Sequence, residues 1–247
     1  MRNQPEQQAP PVQRLRIQYA KRGRLRFASH RDFSRAFERA VVRARVPMAY
    51  SSGFNPHPRI SYAGAAPTGA SSEAEYLEIG LAERVEPARV GEALAQVLPD
   101  GLDVVRVVES PGGALADRLE ASHWRVSVAA ATEECRAAVA ELLAQETVPV
   151  QRMTKKGLRE FDCRAAIIAL SAEVDPADGP DAGDDTPGRS AVLDLVLRHT
   201  EPAVRPDDVL RGLASVAGLD PGRAPLLRRL AQGPLDPVTG SVGDPLA

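Results

Sequence analysis

The chain has 247 residues, of which 43% are hydrophobic, and its formal net charge at pH 7 is -2. This length can bury the core of one large domain or of two small ones. No apolar run reaches membrane-spanning length and the first residues contain no signal-peptide core, so we expect a cytoplasmic protein that does not bind a membrane. Two widely separated cysteines, Cys135 and Cys163, argue against a disulfide framework and a four-cysteine zinc site.

Positive charge is concentrated in residues 14–62. This stretch carries a formal charge of roughly +10, whereas the rest of the chain sums to roughly -12. A strongly basic segment on an otherwise acidic chain favours a polyanionic ligand, and phosphate backbones are the commonest polyanions in a cell. Its basic residues are Arg14, Arg16, Lys21, Arg22, Arg24, Arg26, Arg31, Arg35, Arg39, Arg43, Arg45 and Arg59.

The first half of the chain predicts a ferredoxin-like domain at residues 13–110, after a Gln- and Pro-rich lead-in at residues 1–12 that we expect to be disordered. Alternating apolar residues predict strands, and a helical period predicts helices. The predicted elements are a strand at 14–20, a helix at 30–45, strands at 59–63 and 76–81, a helix at 87–97 and a strand at 102–108. Their order is β-α-β-β-α-β.

The second half, residues 115–231, predicts a repeat of this order. The predicted elements are a strand at 124–129, a helix at 132–144, a long strand at 162–174, a strand at 190–200, a helix at 206–217 and a last strand at 223–231. The predicted fold class is therefore α+β, with tandem ferredoxin-like halves and antiparallel sheets. Residues 175–189 are acidic and Gly/Pro-rich, which predicts a disordered insertion, and we expect residues 232–247 to be a tail.

The helix predicted from His30 carries a row of arginines. Ser29 is a suitable N-cap, and Asp32 completes an S-x-x-D pattern. Phe33 and Phe37 fall on the face that the helical period buries. Arg31, Arg35, Arg39 and Arg43 recur at every fourth residue on another face, where guanidinium groups could bind successive phosphates. A solvated basic face with no ligand is the alternative.

A proline-rich loop follows this helix at residues 46–59. Its prolines restrict the backbone, and Gly53 permits a conformation that other residues avoid. A rigid loop that presents Tyr50, Phe54, His57 and Arg59 would suit base stacking and phosphate binding. Alternatively the aromatic residues fill the core, an alternative that is stronger for Phe54 than for Tyr50.

The segments FASHRDFSRAFERA and VPMAYSSGFNPHPRISYAGAAPTGASSEAEYLEIGL resemble DUF2344, a domain family of unknown function associated with radical SAM proteins. The resemblance is strong over residues 15–81 and weaker at residues 154–157, Asp162 and Arg164. It implies a domain that stands alone or is fused behind a radical SAM enzyme, in RNA- or ribosome-related modification. The chain has no C-x-x-x-C-x-x-C motif, so the iron–sulfur cluster would belong to a separately encoded radical SAM partner.

We therefore predict an RNA-binding or substrate-presenting accessory protein, with tRNA or rRNA as the partner RNA and no cofactor of its own. The predicted nucleic-acid-binding residues are Arg22, Arg24, Arg26, Arg31, Arg35, Arg39, Arg43, Tyr50, Ser51, Asn55, His57, Arg59, Lys155 and Lys156. Tandem ferredoxin-like domains also resemble in plan the RAMP proteins that bind and process CRISPR RNA, a likeness of fold alone.

Two other functions remain open from the sequence. His30 or His57 beside a phosphate-binding surface could make the chain an RNA-processing or RNA-modifying enzyme, since histidine titrates near neutral pH. The basic face could instead bind an acidic protein, which would make the chain an adaptor. No helical H-x-x-x-H pattern supports a metal site, and no glycine-rich phosphate loop is present.

Overall fold

The computed structural model describes residues 7–154, 157–175, 191–222 and 224–247. The predicted acidic insertion after residue 175, the first six residues of the lead-in, and Lys155 and Lys156 lie outside the described residues. The chain divides into two compact units. The first unit comprises Met1–Leu119 and Pro245–Ala247, and the second comprises Glu120–Asp244, so the division falls a few residues after the predicted boundary at 110–115.

The first unit has the predicted β-α-β-β-α-β order. Its elements are β1 (Gln13–Lys21), α1 (His30–Arg43), β2 (Ile60–Ala63), β3 (Ser71–Leu81), α2 (Pro87–Ala95) and β4 (Leu102–Glu109). The strands form an antiparallel sheet in the order β4-β1-β3-β2. This is the ferredoxin-like arrangement.

The second unit repeats the arrangement with one addition. Its elements are β5 (Ala121–Val128), α3 (Thr132–Leu143), β6 (Pro149–Thr154), β7 (Gly157–Asp162), β8 (Ile167–Val174), β9 (Ala191–Arg198), α4 (Pro206–Ala217) and β10 (Leu226–Gly233). The antiparallel order is β10-β5-β9-β8. The tandem ferredoxin-like fold predicted from the sequence is confirmed, and the added piece is the two-stranded hairpin β6–β7.

The long strand predicted at 162–174 is wrong at its start. Asp162 ends β7, because its carboxylate accepts hydrogen bonds from the backbone N–H groups of Val148 at 2.8 Å and Arg164 at 2.9 Å. A short side chain that bonds the backbone in this way competes with a strand ladder. One 3-10 turn, Arg164–Ala166, follows, and β8 begins only at Ile167.

Both ends of the described chain differ from the expected lead-in and tail. The backbone N–H of Val12 donates to the carbonyl of Leu81 at 2.9 Å, and that of Gln8 donates to the Ser52 hydroxyl at 3.0 Å. At the other end β10 continues to Gly233. Leu246 is buried in the first unit against Leu115, among other apolar residues. The structure therefore corrects the expectation of disorder for residues 7–12 and of a tail from residue 232.

Two arginines of the basic segment pair with the buried carboxylate of Glu78 in the first unit. Arg16 on β1 is fully buried, and its Nε lies 3.2 Å from the carboxylate of Glu78 on β3. Its Nη2 donates to the carbonyls of Gly112 at 2.8 Å and Gly113 at 3.0 Å. Arg14 donates to the other oxygen of Glu78 at 3.1 Å. A buried charge needs such partners because desolvation is unfavourable, so Arg16 has a structural role. Arg14 is 54% exposed, but its charge is paired with the same carboxylate.

We predict that Glu78→Gln removes an acid-sensitive part of the stability. Burial raises the pKa of Glu78, but hydrogen bonds from Ser110, Arg16 and Arg14 outweigh burial, so the pKa lies below its usual 4.5. A lowered pKa stabilises the fold above about pH 4.5, and this contribution is lost as the pH falls through the folded-state value. The variant should be less stable at pH 7, by roughly 3 kcal/mol, and should lose less stability on acidification.

Urea unfolding measured from pH 7 down to pH 3 tests this prediction. Glu86→Gln is the matched control, since Glu86 is exposed at the start of α2 and its side chain makes no capping bond. Equal pH dependence in wild type and Glu78→Gln would contradict the prediction.

Candidate nucleic-acid interface

Helix α1 begins where the sequence predicts. The Ser29 hydroxyl accepts a hydrogen bond from the backbone N–H of Asp32 at 3.2 Å and donates to its carboxylate at 2.6 Å. The hydrogen bond from Ser29 lowers the pKa of Asp32 below its usual value, and the charges of Arg35 and Arg31 act in the same direction. The helix ends two residues earlier than predicted, because Arg45 has a left-handed φ of 54°.

The α1 arginine row consists of Arg31, Arg35, Arg39 and Arg43. All four side chains are exposed, and none forms an ion pair with any residue that the structure describes. The opposite face of α1 is buried through Phe33, Phe37, Ala40 and Val41, as predicted for the first two. With a rise of 1.5 Å per residue, successive members of the row are roughly 6 Å apart along the helix axis.

The basic residues before α1 differ in whether carboxylates neutralise their charge. Arg22 forms ion pairs with Glu73 and with Asp103, the latter at 2.8 Å. The hydrogen bond to Glu73 raises the pKa of Arg22, and its charge is offset, so it does not fit the predicted phosphate contact. Arg24 is exposed and has no ion-pair partner in the described part of the chain. The guanidinium of Arg26 lies 4.7 Å from the centre of the Phe27 ring.

The predicted rigid loop forms a short hairpin fixed to the end of β3. The backbone N–H of Ala49 donates to Gly80 and that of Arg59 donates to Ala49, both at 2.8 Å. Nearer the tip, Ser51 and His57 exchange two hydrogen bonds: the Ser51 N–H donates to the His57 carbonyl at 2.8 Å, and the His57 N–H to the Ser51 hydroxyl at 3.0 Å. We call residues 50–59 the proline loop.

The proline loop contains five of the residues predicted to bind nucleic acid and exposes three of them. Tyr50, Asn55 and His57 are exposed, and Phe54 is 75% exposed. The alternative in which Phe54 fills the core is therefore wrong. Arg59 is half-buried and its Nε donates to the Tyr50 carbonyl at 3.1 Å, so it holds the loop together.

The two histidines proposed as catalytic have no orienting carboxylate among the described residues. The His30 ring packs edge-on against Tyr62, with ring centres 4.9 Å apart. Within residues 7–154, 157–175, 191–222 and 224–247, no carboxylate bonds the ring of His30 or His57, and no three metal-binding side chains cluster. An acid–base centre built on either ring would need a partner for the imidazole. His30 does line a cavity of about 20 Å³, together with the buried side chains of Lys21 and Glu75, which is room for one water molecule.

Sequence reasoning did not identify Phe27 as a site residue. It is 60% exposed and closes the 3-10 helix Gly23–Phe27, immediately before α1. Its position in an Arg-rich segment was the one available signal, because aromatic residues interleaved with basic ones are typical of nucleic-acid-binding surfaces.

Comparison with known proteins identifies the family. The family described as "Uncharacterized protein conserved in bacteria (DUF2344)" matches residues 14–206. The chain belongs to this family. No curated protein matches it. In the described part of the chain, no helix has both the length and the apolar composition needed to cross a bilayer.

Several solved structures share a low level of similarity with the chain. The first two RRM domains of yeast poly(U) binding protein Pub1 are 11% identical and match 87% of this chain and 98% of theirs, with a TM-score of 0.21. CRISPR endoribonuclease Cse3, bound to a 19-nucleotide RNA, is 15% identical, with 88% and 99% covered and the same TM-score. The encapsulated DyP-type peroxidase of Mycobacterium smegmatis is 13% identical, with 93% and 94% covered and a TM-score of 0.21. Similarity at this level carries no argument about function.

We predict that Ser29→Ala weakens the start of α1. Loss of an N-cap hydroxyl leaves a backbone N–H without its partner and reduces the unfolding free energy by about 1 kcal/mol. Urea unfolding followed by circular dichroism measures the change. Ser215→Ala is the control, because Ser215 is exposed on helix α4 and its side chain makes no hydrogen bond with a described residue. Equal stability of the two variants would contradict the capping role.

Proposed function

We propose that this protein is an RNA-binding or substrate-presenting accessory protein, in which the α1 arginine row is the main contact for phosphates. The observation that carries the proposal is that four exposed guanidinium groups lie along one helix without ion-pair partners among the described residues. Each guanidinium can donate two parallel hydrogen bonds to phosphate oxygens. Arg24, Tyr50, Asn55 and His57 extend the proposed surface before and after α1.

Electrostatic repulsion within the row supports the same proposal. Like charges four residues apart destabilise a helix by a few tenths of a kcal/mol per pair. Asp32 and Glu38 lie on the same helix and offset part of this repulsion, but four arginines exceed two carboxylates. A bound polyanion would relieve the remainder, whereas a solvated face with no ligand would keep it.

For the protein partner we propose a radical SAM enzyme encoded separately, with a role in tRNA or rRNA modification or processing. The support is the resemblance to proteins of that context. The chain's cysteines are consistent with an iron–sulfur cluster held by the partner enzyme, because Cys135 and Cys163 are both buried. Burial, with the nearby charges of Asp162 and Asp208, raises the pKa of the Cys163 thiol to about 11, so the free thiolate is disfavoured near neutral pH.

We predict that RNA binding weakens steeply with salt. Each phosphate that an arginine neutralises releases counterions, and for a single strand the slope of log K against log salt is roughly -0.7 per contact. Four contacts from the row therefore give a slope of roughly -2.8. Fluorescence anisotropy with a labelled RNA between 50 mM and 300 mM salt measures the slope. A slope near zero would contradict phosphate binding by the row.

We also predict that the triple variant Arg31→Glu, Arg35→Glu, Arg39→Glu abolishes RNA binding, since it replaces three attractive contacts by repulsive ones. The sharper comparison pairs Arg39→Ala with Arg22→Ala. Both remove one positive charge, but Arg22 is already paired with Glu73 and Asp103. Arg39→Ala should reduce the affinity and the salt slope, and Arg22→Ala should change both much less. Equal effects would show that net charge matters and the row does not.

Other functions would give different results in the same preparations. An RNA-processing or RNA-modifying enzyme would alter RNA without a partner protein and lose that activity in His30→Ala or His57→Ala. An adaptor would form a protein complex that survives nuclease treatment. Isolating the protein from its native cell, with and without nuclease, and identifying the RNA and protein that accompany it separates these outcomes.

A further inference from the structure

Two phenylalanines of the first unit are exposed, one shortly before α1 and one shortly after it in the chain. Phe27 is 60% exposed and Phe54 is 75% exposed, whereas Phe33 and Phe37 on α1 are almost completely buried. Scattered exposed apolar residues are ordinary. These two flank the arginine row in sequence, and both lie on short segments whose backbone is fixed by hydrogen bonds.

Phe27 is held at the entrance to α1. Next to it, the carbonyl of Arg26 accepts a hydrogen bond from Gly69 at 2.8 Å, and the backbone N–H of Ala28 donates to Leu25 at 2.9 Å. The backbone on both sides of the ring is thus fixed, and the Arg26 guanidinium lies over the ring at 4.7 Å. An exposed aromatic ring beside a cation can bind a planar base by stacking and a phosphate by charge.

Phe54 is held at the tip of the proline loop. The Ser51–His57 pair closes the hairpin beneath it. Gly53 has a φ of 134°, a conformation that residues with side chains rarely adopt. Tyr50 and His57, which are also exposed, lie on the same hairpin.

We infer that the RNA bound by the arginine row is single-stranded and that its unpaired bases stack on Phe27 and Phe54. This inference rests on the function proposed above. In a duplex the faces of the bases are covered by their neighbours, so a phenylalanine ring has nothing to stack on except at an end. In a single strand the faces of the bases are accessible, and every base has a flat face on which an aromatic ring can stack.

The charge around Phe27 favours RNA over an apolar protein surface as the occupant. Arg24, Arg26 and Arg31 lie within four residues of Phe27, and no ion pair with a described residue neutralises them. An apolar protein surface laid over Phe27 would bury these cations without partners, which is unfavourable. A single strand supplies both a base for the ring and phosphates for the cations. From Arg31 to Arg43 the row spans roughly 18 Å, which is the length of a few nucleotides.

The test compares two RNAs on the full chain at one salt concentration. Fluorescence anisotropy is measured with a labelled 12-nucleotide oligouridylate, which has little structure of its own, and with a 12-base-pair RNA duplex. The single strand should bind more tightly. Phe27→Ala and Phe54→Ala should each weaken its binding roughly 5- to 100-fold, the usual effect of losing one base-stacking ring, and leave duplex binding nearly unchanged.

A second readout separates stacking from a structural effect of the substitutions. Phe27→Ala removes no phosphate contact, so the salt slope should stay at its wild-type value, whereas Arg39→Ala should reduce it. Val238→Ala is the matched control, because Val238 is an apolar side chain of the second unit that is 90% exposed. It should bind both RNAs as the wild type does.

Other outcomes would overturn the inference in distinguishable ways. Equal affinity for single strand and duplex, with no effect of the phenylalanine substitutions, would reject stacking and leave phosphate binding by the row intact. Parallel losses for both RNAs in the phenylalanine variants would assign the rings a structural role and also reject the inference. No binding of either RNA by the wild type at low salt would reject the proposed function itself.

Discussion

Glu78 is the group on which the charge arrangement of the first unit depends. Its carboxylate accepts hydrogen bonds from Arg14, Arg16 and Ser110, and this pairing, with the carbonyls of Gly112 and Gly113, allows the Arg16 guanidinium to be fully buried. At the surface, Glu73 and Asp103 form ion pairs with Arg22 and neutralise its charge. The unit therefore contains arginines that are neutralised by carboxylates of neighbouring strands, and four exposed arginines on α1 that have no such partner among the described residues.

Because of these ion pairs, the charge that the basic segment presents to a ligand differs from its total formal charge. A formal charge of roughly +10 counted along the sequence overstates what a ligand would meet, because Arg14, Arg16 and Arg22 are already engaged. The positive charge that remains is smaller, and part of it is arranged in order along α1. Of the exposed arginines that have no ion-pair partner among the described residues, four lie on one helix, whose start is fixed by Ser29 and whose other face is held by Phe33 and Phe37. An ordered row recognises a regular spacing of phosphates better than the same charges on mobile chain.

The parts of the fold that the sequence predicted are those with local signals. Helix α1 was predictable because the Ser29 cap and the helical period of Phe33 and Phe37 both lie within the helix. The β6–β7 hairpin was missed because Asp162 ends β7 through contacts with Val148 and Arg164, which no periodicity reveals. The burial of Arg16 depends on Glu78, sixty-two residues away in the chain. Exposure of Phe54 was equally hidden, since an aromatic residue in a loop fits a core or a surface.

The attachment of the proline loop has an implication for how its sequence could be changed. The loop is fixed at its base, where Ala49 and Arg59 bond each other and the end of β3, and the side-chain-free surface of Gly80 lets Pro11 and Arg59 approach. The tip lies beyond the Ser51–His57 closure. The anchor and the tip are thus separate, so a different tip sequence could be grafted without changing the anchoring bonds, and this is where the proposed RNA contact could be altered.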